Sequence, residues 1–185
     1  MTIRLSRVPI LVAFSLFLSL FNGLGLKAQE CIKWVDWNEA QELMKRQKRK
    51  VLVDVYTDWC GWCKRMDATT FQDPRIVSYI NKNYYAIKFN AEQKDDIVFK
   101  SRVFKFMENG RRGIHQLAIE ITNGQLSYPT FVFMDEEFNT IQPLKGYLDV
   151  DTFDAITNYF GGNHYKDTPY QSFIESFRKP AMKKP

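Results

Sequence analysis

The sequence predicts a single α/β domain, and three observations support that prediction. The chain has 185 residues, which suits one ordinary domain. Its 45% apolar and 25% charged residues are typical of a globular domain with a real core. Residues 51–56 form a short apolar, β-branched run of the kind that is buried on both faces of a parallel sheet. A helical pattern and a second strand over residues 85–90 follow, which gives a strand–helix–strand unit.

The N-terminal segment, residues 1–28, is predicted to be a signal peptide and not part of the fold. Arg4 and Arg7 precede an apolar run over residues 10–21, and small residues follow as far as Ala28. This layout is typical of a secretory signal that is cleaved near Ala28. An uncleaved membrane anchor is the alternative, because the apolar stretch is close to the shortest that can span a bilayer. With cleavage, the protein is periplasmic or secreted, and its mature chain is not expected to insert stably in a membrane.

The domain organisation follows from this division. We expect the signal peptide to be followed by a domain over residues 29–162 and a C-terminal extension over residues 163–185. Removal of the signal peptide lowers the net charge from +5 to +2, because it carries Arg4, Arg7 and Lys27 and no acidic residue. A mature chain so close to neutral gives no support for a nucleic-acid partner.

The remaining elements are predicted from the periodicity of the apolar residues. Asp73 and Pro74 mark a helix start, because aspartate is a preferred N-cap and proline suits the first helical position. His115 falls on the polar side of a predicted helix and is expected to be solvated or to cap that helix. In chain order, the predicted elements are a helix over 34–48, a helix from Pro74, a hairpin over 97–106, a turn over 110–113, a helix over 114–121, a strand over 131–134, a last strand over 141–147, a closing helix over 150–160 and one more helix in the extension.

Two of the three cysteines carry the chemistry that the sequence predicts. Cys60 and Cys63 directly follow the predicted strand and should open a helix, with Cys60 pointing outward and Cys63 inward. Unpaired N–H groups and the positive end of the helix dipole stabilise a thiolate at such a position. We therefore predict that Cys60 attacks a disulfide and that Cys63 breaks the resulting mixed disulfide.

Two other interpretations of the cysteine pair stay open on the residues alone. A zinc site needs four ligands, and the remaining candidates Cys31, His115 and His164 are isolated along the chain. An inert structural disulfide is the other alternative, although the position of the pair after a strand in a strand–helix–strand unit favours redox chemistry. We expect a redox site that needs neither a metal nor an organic cofactor.

A family resemblance supports this interpretation. Residues 51–64, which end in Trp-Cys-Gly-Trp-Cys-Lys, resemble the active-site strand and helix of the thioredoxin superfamily. Residues 66–74 are similar to the branch that includes exported thioredoxin-like proteins and the C-terminal domain of membrane thiol–disulfide interchange proteins. The resemblance covers about residues 35–160 and implies a three-layer fold, with a central mixed sheet and helices on both faces. It departs at Trp62, where thioredoxins usually have proline, and in an insertion over residues 91–126 before the strand that follows the cis proline.

The resemblance implies roles for four residues outside the cysteine motif. Asp54 matches the buried acid beneath the cysteines, and burial raises the pKa of such a group so that it suits acceptance of the Cys63 proton. Lys88 matches the lysine that faces this acid, with an exposed strand lysine as the alternative. Pro129 matches the cis proline opposite the active site, which leaves the backbone of Tyr128 available to pair with an extended client segment. An ordinary trans proline is the alternative.

The residues around the thiols are predicted to bind clients. Trp59 and Trp62, which we call the tryptophan rim, are implied by family position to be partly exposed, and Gly61 lies between the cysteines. Core packing is the alternative for Trp59. Cys31 is interpreted as a spare thiol.

The resemblance implies a thiol–disulfide oxidoreductase that reduces disulfides of client proteins outside the cytoplasm. A membrane electron donor is expected to recharge its dithiol. The alternatives are a disulfide oxidase or isomerase, and a binding module of the same fold in which the cysteines only close a structural bond.

Overall fold

The structure is a computed structural model that describes residues 30–109 and 112–178, so the predicted signal peptide lies outside the described residues. The strands in chain order are β1 (Trp34–Val35), β2 (Lys50–Tyr56), β3 (Tyr84–Asn90), β4 (Ile97–Phe99), β5 (Arg102–Phe104), β6 (Phe106–Asn109), β7 (Arg112–His115), β8 (Thr130–Met134) and β9 (Thr140–Lys145). The helices are α1 (Trp37–Arg46), α2 (Gly61–Ala68), α3 (Pro74–Asn83), α4 (Gln116–Ile121), α5 (Val150–Gly161) and α6 (Tyr170–Arg178). Within the described ranges, no helix is long and apolar enough to cross a membrane.

Five strands of the described residues form one mixed sheet in the order β1–β3–β2–β8–β9. β1, β3 and β2 run parallel to one another, whereas β8 is antiparallel to β2, and β9 to β8. β4 pairs with β5 and β6 pairs with β7 in two separate hairpins. Along the chain, these hairpins and α4 come after β3 and before β8. This order confirms the predicted insertion before the strand that follows Pro129.

The central strand β2 supplies the cores on both faces of the sheet. Because side chains alternate along a strand, Val51, Val53 and Val55 face one side, where they pack with residues of α1 and α4. Leu52 faces the other side and belongs to the core with residues of α3 and α5. Each of these four side chains is fully buried, and burying an aliphatic side chain of this size stabilises a fold by about 1.5–3 kcal/mol. The predicted three layers, with helices on both faces of a mixed sheet, are confirmed.

The first helix is shorter than predicted. It begins at Trp37 and not at residue 34, because Asp36 is its N-cap and accepts a hydrogen bond from the N–H of Glu39 at 2.8 Å. Trp34 and Val35 form strand β1 instead, in parallel register with Ala86 and Ile87 of β3. Because successive side chains of a strand point to opposite faces, Val35 packs with the core that contains the first helix and Trp34 packs with the core on the other side of the sheet.

The insertion contains the predicted hairpin over residues 97–106, as β4 and β5, and a second hairpin that the sequence did not predict. Gly113 was expected in a turn over residues 110–113, but it lies in β7 opposite Glu108. Residues 110 and 111 lie outside the described part of the chain. A Cβ atom at Gly113 would lie 2.2 Å from Cζ of Phe106 and 2.4 Å from the carbonyl oxygen of Met107, so this close approach of the strands requires glycine.

The prediction for His115 was right in one respect and wrong in another. The helix expected over residues 114–121 begins at Gln116, and His115 caps it, because its Nδ1 accepts a hydrogen bond from the N–H of Leu117 at 3.2 Å. The ring is fully buried and not on a polar helix face. Burial lowers the pKa of His115 and keeps the ring neutral, with Nε2 3.2 Å from the carbonyl oxygen of Asp95.

The C-terminal extension contains the predicted additional helix, α6. Its Phe173 is buried and packs against Tyr159 of α5, with 5.2 Å between the ring centroids. Phe177 stacks on Phe173 from the same helix at 5.3 Å. The extension therefore adds apolar surface to the core on the α5 side of the sheet.

Candidate active site

The two cysteines lie where β2 leads into α2. Cys60 is the N-cap of α2, and its Sγ accepts a hydrogen bond from the backbone N–H of Cys63 at 3.0 Å. The N–H of Cys60 is bonded in turn to the carbonyl oxygen of Thr57 at 3.1 Å, which fixes the turn between strand and helix. A sulfur in this position receives one of the N–H groups that a helix leaves unpaired at its start, and it experiences the positive end of the helix dipole.

Cys60 and Cys63 form a disulfide, with 2.05 Å between the sulfur atoms. The expectation that Cys60 points outward is not met by its exposure: it is 4% exposed, against 2% for Cys63. The neighbouring Trp59 and Trp62 are far more exposed than either cysteine, at 52% and 58%. The exposed apolar surface next to the cysteines is therefore that of the tryptophan rim.

Asp54 and Lys88 are brought together as the resemblance implied. They are register partners in the parallel strands β2 and β3, so their side chains leave the sheet on the same face. Nζ of Lys88 lies 2.8 Å from Oδ2 of Asp54, and Lys88 is half-buried, so the alternative of an exposed strand lysine is wrong. This contact is an ion pair, and the other carboxyl oxygen, Oδ1, accepts no hydrogen bond from a described residue.

The electrostatics of this pair follow from its burial. Asp54 is only 1% exposed, and burial raises its pKa from the ordinary 3.8 to about 6, although Lys88 opposes the shift. Burial also works to lower the pKa of Lys88, but the carboxylates of Asp54 and Asp67 outweigh burial and raise it. At neutral pH, the site therefore holds a charged lysine beside a carboxylate that can take up a proton.

Asp67 is a member of this cluster that the sequence did not predict. It lies one turn after Cys63 on α2, and its Oδ1 accepts a hydrogen bond from Nζ of Lys88. The spacing of four residues from Cys63 was a signal that could have identified it, because residues i and i+4 share one face of a helix. Asp67 is about half exposed, so the chain Asp54–Lys88–Asp67 connects a buried carboxyl to solvent.

Lys88 is also held by aromatic rings. Its Nζ lies 5.1 Å from the ring centroid of Trp34, 5.2 Å from that of Tyr56 and 5.1 Å from that of Phe71. Cations are attracted to the faces of such rings, and the attraction is stronger where water is excluded. The rings keep the ammonium group beside Asp54 without adding another charge.

Cys31, the third cysteine, lies on the same side of the sheet and helps to line a cavity of about 360 Å³ beside Lys88 and Asp67.

Both residues of the tryptophan rim rest on other aromatic side chains. Trp62 packs on Tyr147 with 5.2 Å between ring centroids, and Trp59 packs edge-to-face on Tyr128 at 5.7 Å. The alternative of core packing for Trp59 is wrong, because half of its surface is exposed. Gly61 is the first residue of α2, and a Cβ atom there would meet nothing within 4 Å, so packing does not require glycine.

The segment before β8 lies beside the same rim. The peptide bond between Tyr128 and Pro129 is cis, as the resemblance implied. The carbonyl oxygen of Pro129 accepts a hydrogen bond from the N–H of Gly146 at 2.8 Å, which ties the segment to the end of β9. The ring of Tyr128 is half-buried against Trp59. The structure therefore places Tyr128 and Pro129 beside the rim.

Comparison with known proteins identifies relatives of this chain. The "Thiol:disulfide interchange protein DsbD" of Photorhabdus laumondii subsp. laumondii is 23% identical over 121 residues, which are 64% of this chain and 18% of that protein. The chain thus spans less than a fifth of the length of the curated relatives it matches. The similarity concerns one part of those longer proteins.

Solved structures and a family model agree on the fold. A thioredoxin-fold protein from Helicobacter pylori superposes with a TM-score of 0.56 at 18% identity, covering 70% of this chain and 84% of that one. A thioredoxin from Thermus thermophilus superposes with a TM-score of 0.51 at 16% identity, covering 69% and 85%. The family model of the thioredoxin-like domain matches residues 37–161, from the start of α1 to the end of α5. This chain belongs to the thioredoxin-like domain family.

Proposed function

We propose that this protein is a thiol–disulfide oxidoreductase that reduces disulfides in client proteins. The observation that carries the proposal is the position of the cysteine pair: Sγ of Cys60 lies at the start of α2 and accepts the N–H of Cys63. A hydrogen bond and a helix N-terminus both favour a negatively charged sulfur, and the thiolate is the form that attacks disulfides. The name of the related thiol:disulfide interchange proteins is consistent with this chemistry.

The reaction proceeds in two exchanges between sulfur atoms. In the first, the Cys60 thiolate attacks one sulfur of the client disulfide, and the other client sulfur leaves as a thiolate that takes a proton from solvent. In the second, Cys63 gives up its proton and attacks Sγ of Cys60, which releases the remaining client sulfur. Two electrons have then passed to the client, and the Cys60–Cys63 disulfide remains on the protein.

Asp54 is proposed to take the proton of Cys63 in the second exchange. Its pKa of about 6 leaves it mostly ionised at neutral pH and still basic enough to accept a proton. Oδ2 of Asp54 is occupied by Nζ of Lys88 at 2.8 Å, whereas the buried Oδ1 accepts no hydrogen bond from a described residue and is the oxygen proposed to take the proton. Lys88 stabilises the carboxylate, and Asp67 links the pair to solvent, which allows the proton to leave afterwards.

The direction of electron flow and the location are further parts of the proposal. We favour reduction of clients outside the cytoplasm, after export on the predicted signal peptide and with a membrane electron donor that returns the pair to the dithiol. A disulfide oxidase or isomerase is the alternative. The reduction potential distinguishes them, since thioredoxins lie near about −270 mV and strong oxidases near about −120 mV.

Insulin reduction with dithiothreitol as the electron source tests the proposal. The wild-type protein should accelerate the reduction, and Cys60→Ser should abolish the acceleration. Cys31→Ser makes the same chemical change outside the pair and should leave the activity intact. Equal activity of the wild type and Cys60→Ser would refute the enzymatic interpretation and leave a binding module.

A second experiment identifies the clients. Cys63→Ser should hold clients on Cys60 as mixed disulfides, and mass spectrometry can then identify them.

A further inference from the structure

The insertion before β8 contacts the tryptophan rim through two charged residues. The guanidinium carbon of Arg112, at the start of β7, lies 4.5 Å from the centroid of the Trp59 ring. The carboxylate of Glu92 accepts a hydrogen bond from Nε1–H of the same indole, with both oxygens at 3.0 Å. Trp59 is therefore contacted on its face by a cation and at its N–H by an anion, while Tyr128 packs against it edge-to-face at 5.7 Å.

Hydrogen bonds join the backbone at Glu92 and the end of β7, the strand that Arg112 begins, to the sheet. The N–H of Ala91 donates to the carbonyl oxygen of Tyr56 at 2.8 Å, and the N–H of His115 donates to that of Ala91 at 2.8 Å. The N–H of Glu92 is bonded to Oδ1 of Asn90, also at 2.8 Å. This ladder joins the end of β2, the start of the insertion and the end of β7. Glu92 thus extends from backbone that is bonded to the strands of the active site, and Arg112 begins the strand whose last residue, His115, shares these bonds.

These contacts orient the Trp59 ring without burying it. The ring remains 52% exposed although a cation, a carboxylate and an aromatic ring contact it. A side chain that only filled the core would not leave half of its surface exposed, and an exposed indole without such contacts would exchange between rotamers. A ring held in one orientation binds a partner with a smaller loss of conformational entropy.

We propose that Arg112 and Glu92 are positioning residues for client recognition: they hold Trp59 as a fixed apolar wall beside Cys60. The favoured clients are polypeptides that place an apolar side chain next to the disulfide to be reduced. This inference rests on the proposed function and deepens it. The sulfur chemistry belongs to Cys60, Cys63 and Asp54, so Arg112 and Glu92 act on the binding of protein clients and not on the exchange step.

Two substitutions of opposite charge test the inference. Arg112→Gln removes a positive charge, and Glu92→Ala removes a negative one, so general attraction or repulsion of a charged client would change in opposite directions. Loss of a fixed Trp59 predicts the same direction for both: a rise of about two- to fivefold in the half-saturating client concentration. Arg112→Lys keeps the cation, and Glu92→Gln keeps an oxygen that can accept the indole N–H. Each of these variants should therefore lose less of the apparent affinity for the client than Arg112→Gln or Glu92→Ala.

A matched control lies in the same insertion. Arg102 of β5 also lies over an aromatic ring, with its guanidinium carbon 4.8 Å from the centroid of Phe104, and it pairs with Glu120 on the protein surface. Arg102→Gln therefore makes the same change of charge over a ring that is not part of the tryptophan rim. It should leave client recognition at the wild-type level.

The measurement uses the pre-reduced full chain and two substrates. The rate of oxidation of its dithiol is followed at rising concentrations of insulin and, separately, of oxidised glutathione, whose γ-glutamyl and glycyl groups place no apolar side chain next to the disulfide. For insulin, Arg112→Gln and Glu92→Ala should raise the half-saturating concentration and leave the maximal rate unchanged. For oxidised glutathione, both variants should match the wild type.

A spectroscopic measurement reports the position of Trp59 directly. The chain has four tryptophans, so fluorotryptophan labelling gives four ¹⁹F signals, and Trp59→Phe assigns one of them. Arg112→Gln and Glu92→Ala should shift or broaden that signal and leave the other three unchanged.

The outcomes separate this inference from the function on which it rests. A wild type that oxidises with neither substrate refutes the proposed function, and the client role of Arg112 and Glu92 with it. A wild type that reacts with both, beside variants with unchanged insulin saturation or an unchanged Trp59 signal, overturns the inference alone. Equal losses with insulin and oxidised glutathione also overturn it, because the two residues would then act on the chemistry.

Discussion

The buried carboxyl of Asp54 should make the stability of the fold depend on pH between about 4 and 6, and Asp54→Asn should remove that dependence. Burial raises the pKa of Asp54 in the folded state from 3.8 to about 6. The folded state therefore binds this proton more tightly than the unfolded state does. The stabilisation is fully present below about pH 4 and is lost as the pH rises through 6, which amounts to about 3 kcal/mol for a side chain this deeply buried.

Urea unfolding of the oxidised wild type and of Asp54→Asn, at intervals from pH 4 to pH 8, measures this difference. The free energy of unfolding of the variant relative to the wild type should increase by about 3 kcal/mol over that range, most of it between pH 4 and 6. Other carboxyl groups do not disturb the comparison, because both proteins contain them. Asp73, for example, has a pKa lowered by its hydrogen bonds with Arg75, and its opposite dependence on pH cancels in the difference.

Lys88→Gln provides a second variant for the same reasoning. Lys88 lowers the pKa of Asp54 against the effect of burial, so without Lys88 the pKa of Asp54 should rise further and the loss of stability should move to higher pH.

Two stability curves, for the wild type and Asp54→Asn, that stay parallel within about 0.5 kcal/mol from pH 4 to pH 8 would contradict the assignment of a raised pKa to Asp54. Asp54 would then titrate as an ordinary surface carboxyl.

Three further predictions concern the resolving step, the insertion and the extension. Asp54→Asn should prolong the lifetime of a mixed disulfide on Cys60 at pH 7 by roughly a hundredfold or more, as for the loss of a general base. Rapid acid quenching followed by mass spectrometry measures this lifetime, and an unchanged value would exclude Asp54 as the proton acceptor. Gly113→Ala should displace β7, because its Cβ would lie 2.2 Å from Phe106 and 2.4 Å from the carbonyl oxygen of Met107. The ¹⁹F signal of Trp59 should therefore move, at a cost of about 1–3 kcal/mol in the free energy of unfolding, and an unmoved signal would contradict the coupling. Phe173→Ala should lower the free energy of unfolding by about 3–5 kcal/mol, and Phe177→Ala, which truncates a half-buried ring in the same helix, should cost clearly less in the same urea titration.

Local patterns predicted the elements that carry the sulfur chemistry. A β-branched run that leads into two cysteines at the start of a helix is a feature of neighbouring residues, whereas the role of Asp54 was implied by the resemblance. The pairing of Asp54 with Lys88 came from the resemblance, and the parallel register of β2 and β3 explains why it holds. These elements were predictable because their interactions lie within one strand–helix–strand unit.

Contacts between distant segments explain most of what the sequence did not predict. Strand β1 has two residues, which is too short to show a strand period, and its position depends on pairing with β3. His115 fits the helical period, but its place in the buried interior is set by Ala91 and Asp95. The contacts of Glu92 and Arg112 with Trp59 have no local signature, because each joins the insertion to a residue that precedes it in the chain.

The two tasks proposed for the site place opposite demands on its side chains, and the fold provides for them in different places. Proton transfer at Asp54 requires a carboxyl with a raised pKa, which exists only where strands and helices exclude water. Client binding requires exposed apolar surface, as at Trp59 and Trp62, and exposed side chains are the ones that move most freely. An insertion that reaches the rim from the sheet edge can restrain such a ring while leaving it accessible. In this proposal, the sheet supplies the groups that carry out the chemistry, and the insertion contributes to the choice of client.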